Sequence, residues 1–530
     1  MKKFIVLGLI GLMVMAFSAT VYAQPKLEFK ASGALEATSF WFMNVAPGDG
    51  AVVTHWAGFA GGPFVPAGGY RPSQDPGWIR ESTGAWDRPQ AFMEYRGILR
   101  FDAIMGKELS GTFVFEIDST RWGDIAGDGR GRVGFWTADR AGVEVKNLFI
   151  DVGLPYFGIP VPMTARVGIQ PIGMRPHIFN IVDGTGITGG IKIDPVTVGL
   201  YWAKALEGKD ATSDDVDMYA LSVQAKLGTI TAGAYWFYYN MNTYPLSRVQ
   251  ANYGTTGAGQ NEADFHWLGI FADGKLGPVN INFDFVYDTG EVEGRRNVTG
   301  LLAENKVKYR GFATQLKVDF PWEKFNFGLL GMYASGADRN KTSEHGLPGQ
   351  FTDIGTLTTK VGSYVIPPGS EEWAAWGESM ILGSNFITNT ALPQGMWPAL
   401  AQVGAGAGYG NQVTRGAIGG TWVAKLYASV KATPWYKVTL QGLYIGDTTK
   451  HGNTLSMGRK WGGQLRDDKT IGWEFDLINE IQIYKNLKWS IGAGILFAGD
   501  ALRQEGSGAA KPSYKPDDPW IIATKLRYDF

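Results

Sequence analysis

Apolar and polar residues alternate with a period of two through most of the chain, in segments of about ten residues, which points to strands rather than helices. Residues 90–103 are the clearest case: Met93, Tyr95, Leu99 and Phe101 share one face, and Glu94, Arg96, Arg100 and Asp102 share the other. In 109–119, Phe113, Phe115 and Ile117 oppose Thr112, Glu116 and Asp118. In 279–288, Val279, Ile281, Phe283, Phe285 and Tyr287 make one unbroken apolar face. The last residues do the same, with Trp520, Ile522, Leu526, Tyr528 and Phe530 opposite Ala523, Lys525, Arg527 and Asp529. Residues 26–40 alternate imperfectly, and 141–153 loses the phase, which suggests a bulge.

Such segments start at 26–40 and recur to the end of the chain, predicting about eighteen strands, with sixteen or twenty as the alternatives. Their connections alternate between short turns, such as 105–108, 273–278, 321–324 and 433–435, and long stretches, such as 44–89, 120–140 and 336–420. Several short turns carry aromatics (Trp322, Phe325, Trp435, Tyr436, Tyr484). Segments of this length cross a bilayer when tilted. Short turns on one side with long loops on the other are the habit of a single transmembrane, antiparallel up-and-down β-barrel. A soluble sandwich has no reason for that asymmetry. The fold class expected is therefore all-β, with short periplasmic turns and long extracellular loops.

Composition agrees with that expectation. Of 530 residues, 19% are charged and 13% aromatic, and glycines number 73. The charged share lies below the usual value of about 25% for globular domains. A net charge of -1 gives no bulk attraction to nucleic acid. Met1-Lys2-Lys3, an apolar run to Phe17 and Val21-Tyr22-Ala23 read as a cleaved signal peptide over 1–23, leaving 24–530 as the barrel. No later apolar run approaches the ~18 residues of a membrane helix. With no cysteine, this chain offers neither disulfides nor an attachment point for c-type haem.

Chemistry has to come from the lumen, because a barrel this wide is not filled by its strand side chains alone. The strand Ala165-Arg166-Val167-Gly168-Ile169-Gln170 runs into Pro171-Ile-Gly-Met-Arg-Pro-His-Ile-Phe-Asn-Ile-Val-Asp-Gly-Thr-Gly186. This motif, with the strand pattern and the closing strand ending in an aromatic, resembles large bacterial outer-membrane porins, including the alginate-export-like group. The resemblance implies that the third external connection, 171–186, folds inward as a constriction. Arg166 and Gln170 would then line the wall, and Arg175, His177, Asn180 and Asp183 the eyelet. Arg96, Arg100, Glu116 and Asp118 are further inward-facing candidates, in a list balanced between the two signs. The resemblance also implies outer-membrane lipid and lipopolysaccharide around the barrel, and barrel-assembly machinery that reads the strand ending in Phe530. Many such porins are homotrimers.

The function expected is passive diffusion of small hydrophilic solutes or ions. The alternative is a specific channel for anionic saccharides or carboxylates, which would favour a continuous Arg/Lys ladder over paired charges. A barrel sheath for an electron conduit, or an outer-membrane enzyme, ranks lower. Gly129-Arg-Gly-Arg-Val-Gly134 has dinucleotide-binding spacing but lies in a loop, and the five histidines lack metal-ligand spacing. No cofactor or metal is expected. The insertion 336–420 is expected to cap the outer mouth, ahead of an inward partial plug or a contact with a neighbouring subunit. Lys525 and Arg527 are expected to face Glu28 where the first and last strands meet.

Overall fold

The computed structural model describes residues 26–45, 88–122, 142–154, 161–207, 215–244, 261–294, 306–336, 360–362, 364–367, 378–381, 420–450, 467–502 and 517–530. The expected signal peptide lies outside the described residues. Period-two alternation becomes a wall of long antiparallel strands. First come β1 (Leu27–Val45), β2 (Arg88–Met105), β3 (Leu109–Arg121), β4 (Glu144–Leu154), β5 (Met163–Met174) and β6 (Asn180–Ile193). β7 (Val196–Leu206), β8 (Val216–Leu227), β9 (Ile230–Tyr244), β10 (Asn261–Leu276), β11 (Val279–Gly294) and β12 (Lys306–Trp322) follow. Next are β13 (Phe325–Ala334), the two-residue β14 (Lys360–Val361), β15 (Thr421–Thr433) and β16 (Tyr436–Asp447). β17 (Thr470–Tyr484), β18 (Leu487–Ala498) and β19 (Trp520–Asp529) complete the wall.

Each long strand pairs with its sequence neighbours, and β1 pairs with both β2 and β19, so the sheet closes on itself. Closure removes the free edges that an open sheet of this size would expose. Eighteen strands form the wall; the short β14 runs parallel to β12 on two residues, Lys308↔Lys360 and Tyr309↔Val361. The expected bulge is present: Val114 pairs with Asn147 and Phe115 with Val145, which leaves Lys146 as the extra residue. Inserting it turns two successive side chains, Lys146 and Asn147, toward the lumen.

The alternation of link length also holds. Tight links such as 228–229, 277–278, 323–324 and 485–486 share one end of the barrel with both chain ends of the wall. Gly228 (φ 64°) and Gly277 (φ 62°) supply the left-handed conformation these turns need. At the same end, Trp322 packs on Phe325, Trp435 on Tyr436 and Tyr528 on Phe530, an aromatic girdle on the outer surface. Above it, Leu99, Leu221, Leu268, Leu316, Leu440 and Phe475 project outward and exposed. An exposed apolar belt around a closed barrel is the surface that hydrocarbon covers, so this is a transmembrane barrel.

The seam has a different partner from the one the sequence suggested. Glu36 lies opposite Arg527, and Thr38 opposite Lys525. Arg527 and Lys525 (3.2 Å) both bind the Glu36 carboxylate. Glu28 lies beyond the paired register, which begins at Ala34↔Asp529, and pairs with Lys30 on its own strand. The alternation had set the face correctly but not the stagger, which the backbone bonds between Gly33 and Phe530 fix.

Candidate pore constriction

The 171–186 stretch is a hairpin rather than an irregular loop. β5 and β6 stay paired out to Met174↔Asn180, leaving a turn of 175–179. Arg175 opens the turn in the left-handed region (φ 53°), which reverses the chain sharply. The tip lies in the lumen. Ile178 and Phe179 are fully buried, worth about 1.5–3 kcal/mol each. Phe179 stacks on Tyr235 at 5.0 Å and meets Phe237 edge-on at 5.0 Å, both inward-facing on β9.

Arg175 pins the tip to the far wall. Its guanidinium bridges Asp273 on β10 and Asp284 on β11, with Nη2 at 2.9 Å and 2.8 Å from a carboxylate oxygen of each. His177 Nε2 lies 2.7 Å from Asp284 Oδ2, the oxygen that Arg175 Nη2 also contacts. The guanidinium also sits 4.7 Å over the Phe271 ring. A planar fork between two carboxylates in a partly dry site is the strongest arrangement that arginine makes.

The remaining expected residues divide into three groups. Arg96 and Glu116 form a buried pair, Nε to Oε1 at 2.7 Å, which Lys146 extends at 2.8 Å. Lys146 then reaches Asp183 at 3.1 Å, and Asn147 donates to Asp183 at 2.9 Å, joining the hairpin to β3 and β4. Arg166 pairs with Asp151 at 2.7 Å, and Arg100 with Asp102 at 2.8 Å, both nearer solvent. Gln170 and Asn180 are structural instead. Gln170 is buried, donating to the Gly186 carbonyl at 2.9 Å and accepting from Thr188. Asn180 is wholly buried against the Ile172 carbonyl, so it does not face an opening. Asp118 lies on β3, its side chain outside the described residues.

Three features escaped the sequence reading. Lys146 did so because the bulge scrambles its phase. Asp273 looked like part of a turn, whereas β10 runs on to Leu276. The third is an apolar layer on the inner face near the long-loop ends: Met218 on β8, Phe237 and Tyr239 on β9, and Phe265 and Trp267 on β10 are all buried. Two stretches of the 336–420 insertion complete it from within. Tyr364, Val365 and Ile366 are buried there, Trp267 donating to the Val365 carbonyl at 2.8 Å and Tyr364 to the Ile178 carbonyl at 2.8 Å. Asp288 on β11 accepts from the Val365 amide at 3.3 Å. Ser379, Met380 and Ile381 are buried against Glu474 on β17, which accepts from the Ser379 hydroxyl at 2.7 Å and from the Met380 and Ile381 amides. These stretches therefore lie inside the wall, the inward alternative, and not over the mouth.

Between them and the wall stands Glu378. Lys317 on β12 reaches one of its oxygens at 2.7 Å, and Lys425 on β15 the other at 2.6 Å. Burial alone would raise the pKa of this carboxyl, but the ammoniums of Lys425 and Lys317 outweigh it and hold it down at about 2.

No family model and no curated protein matches the chain. Solved structures do. Pseudomonas aeruginosa OpdQ aligns with a TM-score of 0.45 at 9% identity, over 95% of this chain and 98% of that one. OccK8 (OprE) of the same organism gives 0.45 at 10%, over 95% and 98%. The P. aeruginosa outer membrane protein OpdK gives 0.46 at 7%, over 94% and 98%. At such identities and scores these likenesses transfer neither a solute nor a residue role to this chain.

Proposed function

We propose that the protein is an outer-membrane porin, a passive channel for small hydrophilic solutes and ions, narrowed by the inward hairpin tip at Arg175–Phe179. The observation that carries this reading is the pairing of the lumen charges. Arg96 with Glu116, Lys146 with Asp183, Arg166 with Asp151, Arg175 with Asp273 and Asp284, and Lys525 and Arg527 with Glu36 each bring opposite signs together. Such a lining keeps water in the lumen without holding one sign of solute strongly. A channel for anionic saccharides needs an uninterrupted file of cations, whereas each of these cations meets a carboxylate.

Passage is by diffusion, filtered by the width that the hairpin tip leaves in the lumen. Arg166, Asp151, Lys146, Asp183 and His177 are the partly exposed groups a solute meets. The outer membrane is the setting that the outward apolar belt fits, with lipopolysaccharide against its outer rim and assembly through the closing strand. Osmotic swelling of proteoliposomes with uncharged sugars of increasing size tests the reading. Swelling that falls off with solute size is expected; no swelling with any sugar, from protein shown to be folded, contradicts it.

A further inference from the structure

The wall closes without the 336–420 insertion. β13 and β15 are hydrogen-bonded neighbours from Phe325↔Val430 to Tyr333↔Trp422, although the whole insertion lies between them in sequence. Among the described residues, the insertion adds to the wall only the two-residue β14. What it does contribute is interior: residues 378–381 fill part of the apolar layer.

Their anchors are polar and come from four wall strands. Lys317 and Lys425 hold the Glu378 side chain, Gln441 on β16 donates to its carbonyl at 3.2 Å, and Glu474 takes the amides that follow. Two of these anchors differ in access to water. Glu474 is fully buried, whereas the Glu378 side chain is 23% exposed. Among the described residues, Glu378 is also the sole carboxylate in ion-pair contact with either lysine. The Tyr427 ring lies close to both ammoniums, 5.6 Å from Lys317 and 5.3 Å from Lys425. That ring has room because its cross-strand neighbour is Gly328, where a Cβ would fall within the ring. Two cations are thus arranged around one carboxylate, which reaches them from a segment that the wall does not need.

We propose that residues 378–381 are a releasable plug inside the barrel, and that Glu378 is its catch on Lys317 and Lys425. Without the catch, two ammoniums face each other in a partly dry site, a state that favours recruiting water or a soluble anion over keeping Met380 and Ile381 docked. The inference rests on the barrel being a channel, since a plug matters only where something passes.

The chain has no cysteine, so Met380→Cys places a single thiol on the buried side of the plug. In folded protein, the M380C thiol should be protected from a hydrophilic maleimide. Adding Glu378→Gln should raise the labelling rate at least tenfold. Adding Lys317→Met and Lys425→Met to that variant, which leaves no cation unpaired, should return the rate toward the parent value. Equal rates with and without E378Q overturn the proposal. So does a triple variant that labels as fast as E378Q, because the catch is then not electrostatic. Heat-modified gel mobility establishes that each barrel is folded. Labelling needs no current, so an absence of conductance in every variant counts against the porin reading alone.

Discussion

Arg527 and Glu36 meet at 2.5 Å although 491 residues separate them in sequence. Their contact is the side-chain half of the closure that Gly33 and Phe530 make through the backbone. Glu36 is almost wholly buried and serves Lys525 as well, so it neutralises two cations at the seam. Glu36→Gln should therefore cost on the order of 3 kcal/mol, as expected when a buried pair loses one partner. Arg527, itself more than a third exposed, should cost only about 1 kcal/mol as Gln. Urea titration of folding into lipid vesicles measures both, and equal costs would show that Glu36 does not hold the seam.

At the hairpin tip, Arg175→Ala removes the tie to Asp273 and Asp284 and leaves two carboxylates without their guanidinium. Two changes are expected together in single channels: a larger, noisier conductance and a shift of reversal potential toward cation preference. A variant with parental conductance and selectivity would mean that the tip is held by Ile178 and Phe179 alone.

Phe179→Ala tests that apolar hold directly. Its ring contacts Tyr235, Phe237 and Trp267, and truncating a fully buried phenylalanine costs about 3–5 kcal/mol. Unfolding in denaturant should show a loss of that order. A cost below about 1 kcal/mol would show that the tip is not packed as described.

Acid gives a separate handle on the insertion. Glu378 faces Lys317 and Lys425, with Gln441 and the Tyr427 ring beside them and Asp476 near Lys425. Its carboxyl is held down from 4.5 to about 2, so its contribution is complete above pH 4.5 and is lost as pH falls through about 2. The M380C labelling rate, taken relative to a free thiol at the same pH because maleimide reacts with the thiolate, or the conductance, should thus stay level from pH 7 to 4.5 and change only toward pH 2. A transition centred near pH 4.5 would show that Glu378 titrates as an unpaired acid.

The wall was legible because a half-buried strand in lipid must alternate, and alternation over residues such as Met93 to Asp102 or Trp520 to Asp529 leaves few other folds. Link lengths gave its orientation. Stagger was not legible: Glu28 and Glu36 share a face and differ only in register, which backbone pairing decides. The interior was harder still. Phe237 and Trp267 lie inward in strands whose outer faces are apolar too, so no contrast marks them. Asn180 shows the reverse, a polar side chain that packs in the core. Glu378 stands 61 residues from Lys317 and 47 from Lys425, and no local pattern predicts a contact made by a long insertion folding back.

Conductance across a planar bilayer, with reversal potentials in a potassium chloride gradient, reaches the central claim most directly. Paired lumen charges around a narrowed but water-filled path call for discrete ohmic steps with weak selectivity. Folded, inserted protein that passes no current, or current carried almost wholly by one sign of ion, would contradict it.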